Sequence, residues 1–370
     1  NFLSIPKFLS IHSSTHYEIT PEFFCFPEIF LNLNNFTLPG GKSFELDLPK
    51  WANNVFNFVE KYSYALELPI VRKQIHNWFD LTFGCKLNGK YGEEALNLYQ
   101  QLSYISFDIS EQDIEQKHQW VKTCGAVPFQ LFNEPHPPSI ERGKFDISSL
   151  IYIICLNQHP NTNKEIPKEI LVDSIHTSFS QNNHFVVITY MISKVIVYNL
   201  DDRKIQPQMS LNRYHVRFSF VFEKQLMCVT CCNNEIVIWS ISNGAITTII
   251  PIPNVNAMLI KEDINSIFMS SENILYHYTI NGFLVRKIDL SQEITALSCF
   301  ENGFSIFDKY ILIGHRDGTI KICSIDFNSC EFIIIDEKKI SNCPIINFSV
   351  DLDLYEVSVY DLRSCLNYES

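Results

Sequence analysis

Hydrophobic positions follow two different spacings along the chain, and the change falls near residue 140. Before it, apolar residues mostly recur every three or four positions, which is the period of an amphipathic helix. After it, short apolar runs rich in Val, Ile, Tyr and Phe alternate with Asn, Asp, Gly and Ser, which is typical of β-strands joined by turns. The pattern therefore predicts a multidomain protein, mainly helical with extended segments at first and all-β afterwards.

Three helices are predicted in the first part. One runs from Pro69, a residue suited to a first helical position, to about Gly84, which is well placed to end it. The others cover roughly residues 91–104 and 111–124, each with apolar residues along one side. On this interpretation the segment HNWFDLTFGCKLNG, residues 76–89, is largely the end of the first helix.

The second part contains a repeat of about 40 residues, the length of a propeller blade. Four similar segments follow one another at offsets of 41, 39 and 45 residues: KVIVYNL (194–200), EIVIWSI (235–241), ILYHYTI (274–280) and TIKICSI (319–325). Asn-Gly pairs at 243–244 and 281–282 and Asp-Gly at 317–318 lie where the hairpins must turn. About five blades of a β-propeller fit. The last aligned copy, 355–370, is cut short, so we expect an incomplete propeller.

Charge limits the partners that the chain can bind. It has 29 Lys and Arg against 41 Asp and Glu, a formal net charge of −12 that is spread evenly along the sequence. Nucleic acid is disfavoured as a partner because it requires a basic surface. Anionic lipid also favours Lys and Arg patches, so we expect any membrane contact to be indirect.

Metal-binding patterns are weak. Cys228 and Cys231, and likewise His12 and His16, have the spacing of half a zinc site, but neither pair has a second pair at suitable spacing. We interpret the 12 cysteines as reduced thiols, those of the strands being buried in the core. The sequence predicts neither a metal nor another cofactor.

Five segments in residues 1–143 resemble, in order and spacing, the C-terminal half of a BEACH domain: TPEFFCFPEIFLNLNNF, LPKWA, WFDLTFGCKLNG, EEALNLYQQLSY and CGAVPFQLFNEPHPP. The remainder resembles the degenerate WD-repeat propeller that commonly closes such neurobeachin-type proteins. The chain departs from the family pattern near Trp78, where it has Phe79, Thr82, Cys85 and Leu87. Its repeats depart further, since Ser follows Trp239 and Cys323 replaces the expected Trp.

The resemblance implies a BEACH segment at 1–143, a linker with a first propeller strand at 144–174, and blades at 175–370. It also implies that a pleckstrin-like module and the N-terminal half of the BEACH domain precede this segment in a full-length chain. The family consists of large cytoplasmic scaffolds that associate peripherally with organelle or vesicle membranes. Its members act in vesicle trafficking, membrane fusion and fission, and lysosome-related or autophagic compartments, so the implied partners are membrane-trafficking proteins.

Candidate residues for specifying the fold or for interaction are Trp78, Asp80, Phe83, Gly84, Lys86, Glu134 and His136. We expect Trp78 and Phe83, like Trp51 and Trp120, to fill the core, because aromatic residues dominate core energetics. We expect Asp80 and Lys86 to bind the neighbouring backbone or each other. The Pro-rich segment 134–138 is either a stiff strap between the domains, which we favour, or a docking peptide for an aromatic groove.

One pair could carry acid/base chemistry. His76 and Asp80 are spaced i to i+4, on one helical face, and would be the catalytic pair of a hydrolase. No nucleophile elbow, phosphate-binding Gly loop or paired metal motif accompanies them. We therefore predict no catalytic residues and a non-catalytic scaffold. The alternative within the same class is a general WD-repeat adaptor for kinase anchoring or ubiquitin ligation.

Overall fold

The computed structural model describes residues 21–37, 46–104, 114–138, 153–154, 176–181, 184–190, 194–207, 216–301, 305–351 and 356–361. The chain divides into two compact units, Asn1–Lys144 and Phe145–Ser370. His12 and His16 lie outside the described residues, as does the end of the chain beyond residue 361.

The first unit is helical where it is described. Its α-helices are α1 (Val55–Leu66), α2 (Pro69–Arg72), α3 (Ile75–Thr82), α4 (Gly89–Glu94) and α5 (Ile114–Cys124), and 3-10 turns lie at Pro21–Phe24, Pro27–Phe30 and Gln101–Ser103. Helix α1 begins after Asn54, whose side chain accepts a hydrogen bond from Asn57 N and so satisfies one free backbone donor. The buried side of α1, including Phe58, packs against Phe30 to form the core of this unit.

Two of the three predicted helices are shorter than expected. The predicted helix from Pro69 is interrupted between α2 and α3. The helix predicted over 91–104 ends with α4, because Leu96 has a φ of 56° and Asn97 turns back. The Asn97 side-chain amide donates to Leu81 O at 2.7 Å and to Lys86 O at 3.0 Å. These tertiary hydrogen bonds favour a turn over further helix. The third prediction is confirmed by α5 in its described part.

The second unit is built of strands. They are β1 (Ile153–Ile154), β2 (His176–Gln181), β3 (Phe185–Tyr190), β4 (Lys194–Asn199), β5 (Lys204–Ile205), β6 (Val216–Phe222), β7 (Met227–Cys232), β8 (Glu235–Ser240), β9 (Ile246–Pro251), β10 (Val255–Lys261), β11 (Ser266–Ser271), β12 (Ile274–Thr279), β13 (Leu284–Asp289), β14 (Ile294–Glu301), β15 (Lys309–His315), β16 (Thr319–Ile325), β17 (Phe332–Lys339), β18 (Ile345–Asp351) and β19 (Glu356–Asp361).

The strands form consecutive antiparallel sheets. Sheets I (β2–β5), II (β6–β9), III (β10–β13) and IV (β14–β17) each contain four strands in chain order. The four repeats identified in the sequence are the third strands of these sheets, β4, β8, β12 and β16. Sheet V has three described strands in the order β1-β19-β18, and β1 is parallel to β19. Repeated four-stranded sheets after a helical unit confirm the predicted fold class.

Successive sheets share hydrophobic cores. Separate clusters of buried residues join I with II, II with III, III with IV, and IV with V. Trp239 of β8 is fully buried, and its indole Nε1 donates to Thr230 Oγ1 of β7 at 2.9 Å. The predicted turn at 317–318 is present, with Gly318 at a φ of 85°. Each sheet therefore depends on its neighbour to cover an apolar face.

The cysteines of β7 are core residues, as expected. Cys228, Cys231 and Cys232 are free and buried. Burial raises the pKa of each of the three thiols to about 12. Because the thiolate is the reactive form, these side chains are inert packing groups at neutral pH.

Candidate functional site

The candidate site is organised around Asp80, on the last turn of α3. Its side chain is 2% exposed, and Oδ1 accepts a hydrogen bond from His136 N at 3.0 Å. The same oxygen lies 3.0 Å from His136 Nδ1, while Oδ2 lies 3.9 Å from Lys86 Nζ. Burial alone would raise the pKa of Asp80, but the His136 hydrogen bonds and the Lys86 charge outweigh it and lower that pKa. The carboxylate is therefore ionised and occupied by protein partners.

The turn after α3 is fixed by its backbone. A Cβ on Gly84 would lie 2.7 Å from Asp80 Cα, so a larger residue would force the turn away from the helix. Lys86 N donates to Asp80 O at 3.0 Å, and the Leu87 side chain is fully buried. Gly84 and Lys86 thus lie at the helix end, in close contact with the backbone of Asp80.

The segment around His136 is fastened to the same helix end. Leu131 N and Phe132 N donate to Phe83 O at 2.7 and 3.2 Å. The His136 ring stacks on Phe79 with centroids 5.5 Å apart. Glu134, between these contacts, is exposed. Residues 131–136, which include the start of the Pro-rich segment, are thus held against α3.

Trp78 does not fill the core, contrary to our prediction. Its side chain is 55% exposed, and its ring contacts Phe79 and Phe83 at centroid distances of 5.2 and 6.1 Å. Phe83 is only partly buried. The reason is that α3 turns Asp80 inward, and Trp78, two residues earlier in the helix, projects away from it. The core beneath is formed instead by residues such as Cys85 and Leu87.

A continuous aromatic surface results. It consists of Trp78, Phe79, Phe83, Phe132 and His136, and we refer to it as the Trp78 surface. Phe132 is 43% exposed and contacts the His136 ring at 4.6 Å, which links the two ends of the surface. Exposed aromatic clusters of this kind mark interaction sites more often than single exposed residues do. The surface lies on a frame held rigid by Asp80.

The predicted burial of Trp51 in the core requires correction, and the structure also places His76 and Trp120. Among the described residues no hydrogen bond or ion pair joins His76 to Asp80, because His136 and Lys86 occupy the carboxylate. Trp51 is 46% exposed and stacks on the outside of Phe58. Trp120 is partly buried, and its Nε1 donates to Ser103 Oγ at 2.8 Å.

Several contributors to the site were not identified from the sequence. Asn97 joins the end of α3 to the following turn, and Phe132 extends the aromatic surface from a distant part of the chain. The apolar run VPFQLF, at 127–132, was the available signal, since Phe129 and Leu131 are also exposed, at 67% and 65%. A short apolar run by itself does not distinguish a buried strand from an exposed apolar patch in a segment without regular structure.

The described residues show neither a metal centre nor a membrane-spanning helix. In the described ranges, no group of three or more His, Cys, Asp or Glu side chains is arranged to hold a metal ion. No helix in those ranges combines the length and hydropathy required of a membrane span.

Solved structures match half of this chain at low similarity. A crystal structure of the WD40 beta propeller domain of Doa1 matches 50% of this chain and 60% of its own chain, with 11% identity and a TM-score of 0.41. A crystal structure of the mitotic checkpoint complex matches the same shares with 12% identity and a TM-score of 0.43.

Sequence relatives match about a third of the chain. The lysosomal-trafficking regulator of Drosophila melanogaster is 41% identical over 131 residues, which is 33% of this chain and 4% of the relative. Beige protein homolog 1 of Saccharomyces cerevisiae is 35% identical over 133 residues, covering 33% of this chain and 6% of the relative. The chain thus spans a small fraction of either protein. The Beige/BEACH domain model matches residues 1–139, the part of the chain for which the sequence predicted a resemblance to that family.

Proposed function

We propose that this chain is part of a non-catalytic scaffold that recruits proteins for vesicle trafficking and membrane dynamics. The observation that carries the proposal is the Beige/BEACH match over residues 1–139. The name of the Drosophila relative supports the pathway, since that protein is called a lysosomal-trafficking regulator. Partners would be proteins of the trafficking machinery acting in fusion, fission, or lysosome-related and autophagic compartments.

The Trp78 surface supports a mechanism based on protein binding. Aromatic side chains provide a large contact area at low entropic cost and are enriched among the residues that dominate interface energies. Trp78 is 55% exposed, whereas Asp80 beneath it is 2% exposed and held by His136 and Lys86. A rigid frame that presents an exposed aromatic ring requires little ordering when a partner binds.

The net negative charge and the hydrogen-bonded Asp80 carboxylate support two further parts of the proposal, which are indirect membrane association and the absence of catalysis. A carboxylate that already accepts from His136 is poorly placed to take a proton from a substrate. With a net charge of −12, the chain would associate with organelle or vesicle membranes through protein partners and remain a peripheral cytoplasmic component. Within it, we assign residues 1–143 to the BEACH segment, 144–174 to a linker with the first strand, and 175–370 to the blades.

The alternative is a general WD-repeat adaptor for kinase anchoring or ubiquitin ligation, favoured by the four-stranded sheets I to IV alone. Proximity labelling from the source cell, with this segment fused to the labelling enzyme, separates the two. We expect membrane-fusion, coat or small-GTPase proteins to be enriched. Enrichment of ligase or kinase subunits without trafficking proteins would contradict the proposal and support the adaptor.

A further inference from the structure

A polar cavity lies at one end of sheets II to IV. Its volume is about 610 Å³, and it is lined by Arg217, Asn254, Asn256, Glu272, Asn273 and Glu293. The lining comes from the first-strand starts of sheets II and III, the β11–β12 turn, and the residue before β14. Every lining side chain is polar. A ligand would therefore be held by hydrogen bonds and charge, since the lining offers no apolar side chain to cover an apolar surface.

Some of the lining groups are already occupied. Glu293 Oε2 pairs with Arg316 Nη1 at 2.7 Å, and Asn256 Nδ2 lies 3.5 Å from Glu293 Oε1. Asn273 Nδ2 donates to Asp289 Oδ1. These contacts pair the charge of Glu293 and provide hydrogen-bond partners for the Asn256 and Asn273 amides. They fix the shape of this wall of the cavity.

Other groups remain available. The Glu272 carboxylate makes no hydrogen bond or ion pair with a described residue, and it is exposed. Arg217 donates through Nη1 to Val255 O at 2.7 Å, and its other terminal nitrogen, Nη2, makes no hydrogen bond with a described residue. The Asn254 side-chain amide, which can both donate and accept, is exposed. Together they provide a carboxylate without a described ion-pair partner, beside donors and acceptors suited to a peptide backbone.

From this set we propose that the cavity binds an extended segment of a partner protein through a lysine or arginine side chain, with Glu272 as the residue that pairs with the cation. Arg217 and Asn254 would hydrogen-bond the carbonyl and N–H groups of the segment. The inference rests on the proposed function in one respect, that the chain works by binding proteins. The cavity would be a contact point in the β unit, in addition to the Trp78 surface, and its ligand would be a cationic peptide segment.

The backbone at Glu272 offers a sharp test. Its φ is 53°, in the left-handed region where Asn is better tolerated than Glu. Replacing Glu272 with Asn removes the charge at a position where the new residue suits the backbone. We expect the Glu272→Asn variant to be at least as resistant to unfolding as the native chain, so any loss of binding would not reflect a damaged fold.

The experiment uses the whole chain and fluorescently labelled, end-capped peptides of Gly and Ser that carry two Lys, two Arg or two Glu. Fluorescence anisotropy in low and physiological salt measures the dissociation constants. Because the net charge of −12 attracts basic peptides everywhere, the matched control is Glu331→Gln. That exposed residue lies in the β16–β17 turn, at the opposite end of the sheet from the second-to-third-strand turns.

We expect the Lys and Arg peptides to bind in preference to the Glu peptide. Glu272→Asn should weaken that binding about fivefold, the factor that corresponds to one exposed ion pair, and Glu331→Gln should leave it unchanged. Equal losses in both variants, or no loss in Glu272→Asn, would overturn the cavity as the binding site. Proximity labelling that still recovers trafficking proteins would then leave the proposed function standing, so the two failures are distinguishable.

Discussion

At the scale of single residues, Asp80 holds the candidate site together. It accepts from His136 N and lies within reach of Lys86, although it is almost completely buried. Removing a buried charged acceptor leaves its donors unpaired, which costs more than the net value of the bond. We therefore expect Asp80→Ala to lower the free energy of unfolding of the first unit by about 2–3 kcal/mol.

Denaturant unfolding followed by Trp fluorescence measures this cost. The matched control is Glu134→Ala, at an exposed position in the same segment as His136, which should change the free energy of unfolding by less than about 0.5 kcal/mol. Similar effects of the two substitutions would show that the His136 segment is not held by Asp80.

The lowered pKa of Asp80 predicts a pH dependence. Its hydrogen bonds with His136 and the nearby Lys86 charge favour the ionised form in the folded state. A depressed folded pKa contributes stability above the unfolded value, near 3.8, and that contribution is lost as pH falls through the folded pKa. Unfolding measured between neutral pH and pH 2 should therefore show a smaller acid-induced loss in Asp80→Asn than in the native chain. Parallel pH profiles would contradict this assignment.

At the scale of elements, the sequence was sufficient to predict a strand wherever the residues that mark it are close together in the chain. The third strands β8, β12 and β16 were recognisable because a buried apolar run and a turn pair lie within a few residues of each other, and β4 because its apolar run fits the same spacing. The end of α4 and the outward direction of the Trp78 side chain could not be predicted from such local signals. They depend on Asn97 and His136, which bind α3 from 16 and 56 residues away. An apolar period indicates a helix, but it does not show which partner covers each face.

The turn between β12 and β13 allows a test of how sheets II and III pack. Gly282 has a φ of 84°, and a Cβ there would lie 2.4 Å from Thr248 Cγ2 on β9. We expect Gly282→Ala to destabilise the β unit through both the left-handed backbone and this contact. In a Thr248→Ser background, which lacks the methyl group, the cost should fall to the backbone part, about 1–2 kcal/mol.

A double-mutant cycle by thermal unfolding measures the coupling between the two sites. Gly318→Ala serves as the comparison, because its Cβ would lie 2.2 Å from the backbone oxygen of Ser341 and no side-chain change can relieve that contact. Additive effects of Gly282→Ala and Thr248→Ser would contradict the packing of the turn against β9.

At the scale of the whole molecule, the change of hydrophobic period near residue 140 indicated two parts, and two compact units are present. Family resemblance added what periodicity could not, because a BEACH segment has no single repeating pattern. The partner surface was the least predictable feature. Whether Trp78 is buried or exposed is determined by the burial of Asp80, which in turn depends on a contact with His136 across 56 positions.

The most direct test of the scaffold is whether the Trp78 surface recruits trafficking proteins. Quantitative proximity labelling should compare the native chain with Trp78→Ser/Phe132→Ser and with Ile246→Ser/Ile249→Ser, a control pair that is also exposed but lies on β9. We predict that the first variant loses the trafficking proteins while the control retains them, with unfolding curves unchanged in both. Full labelling of those proteins by the Trp78→Ser/Phe132→Ser chain would contradict the account.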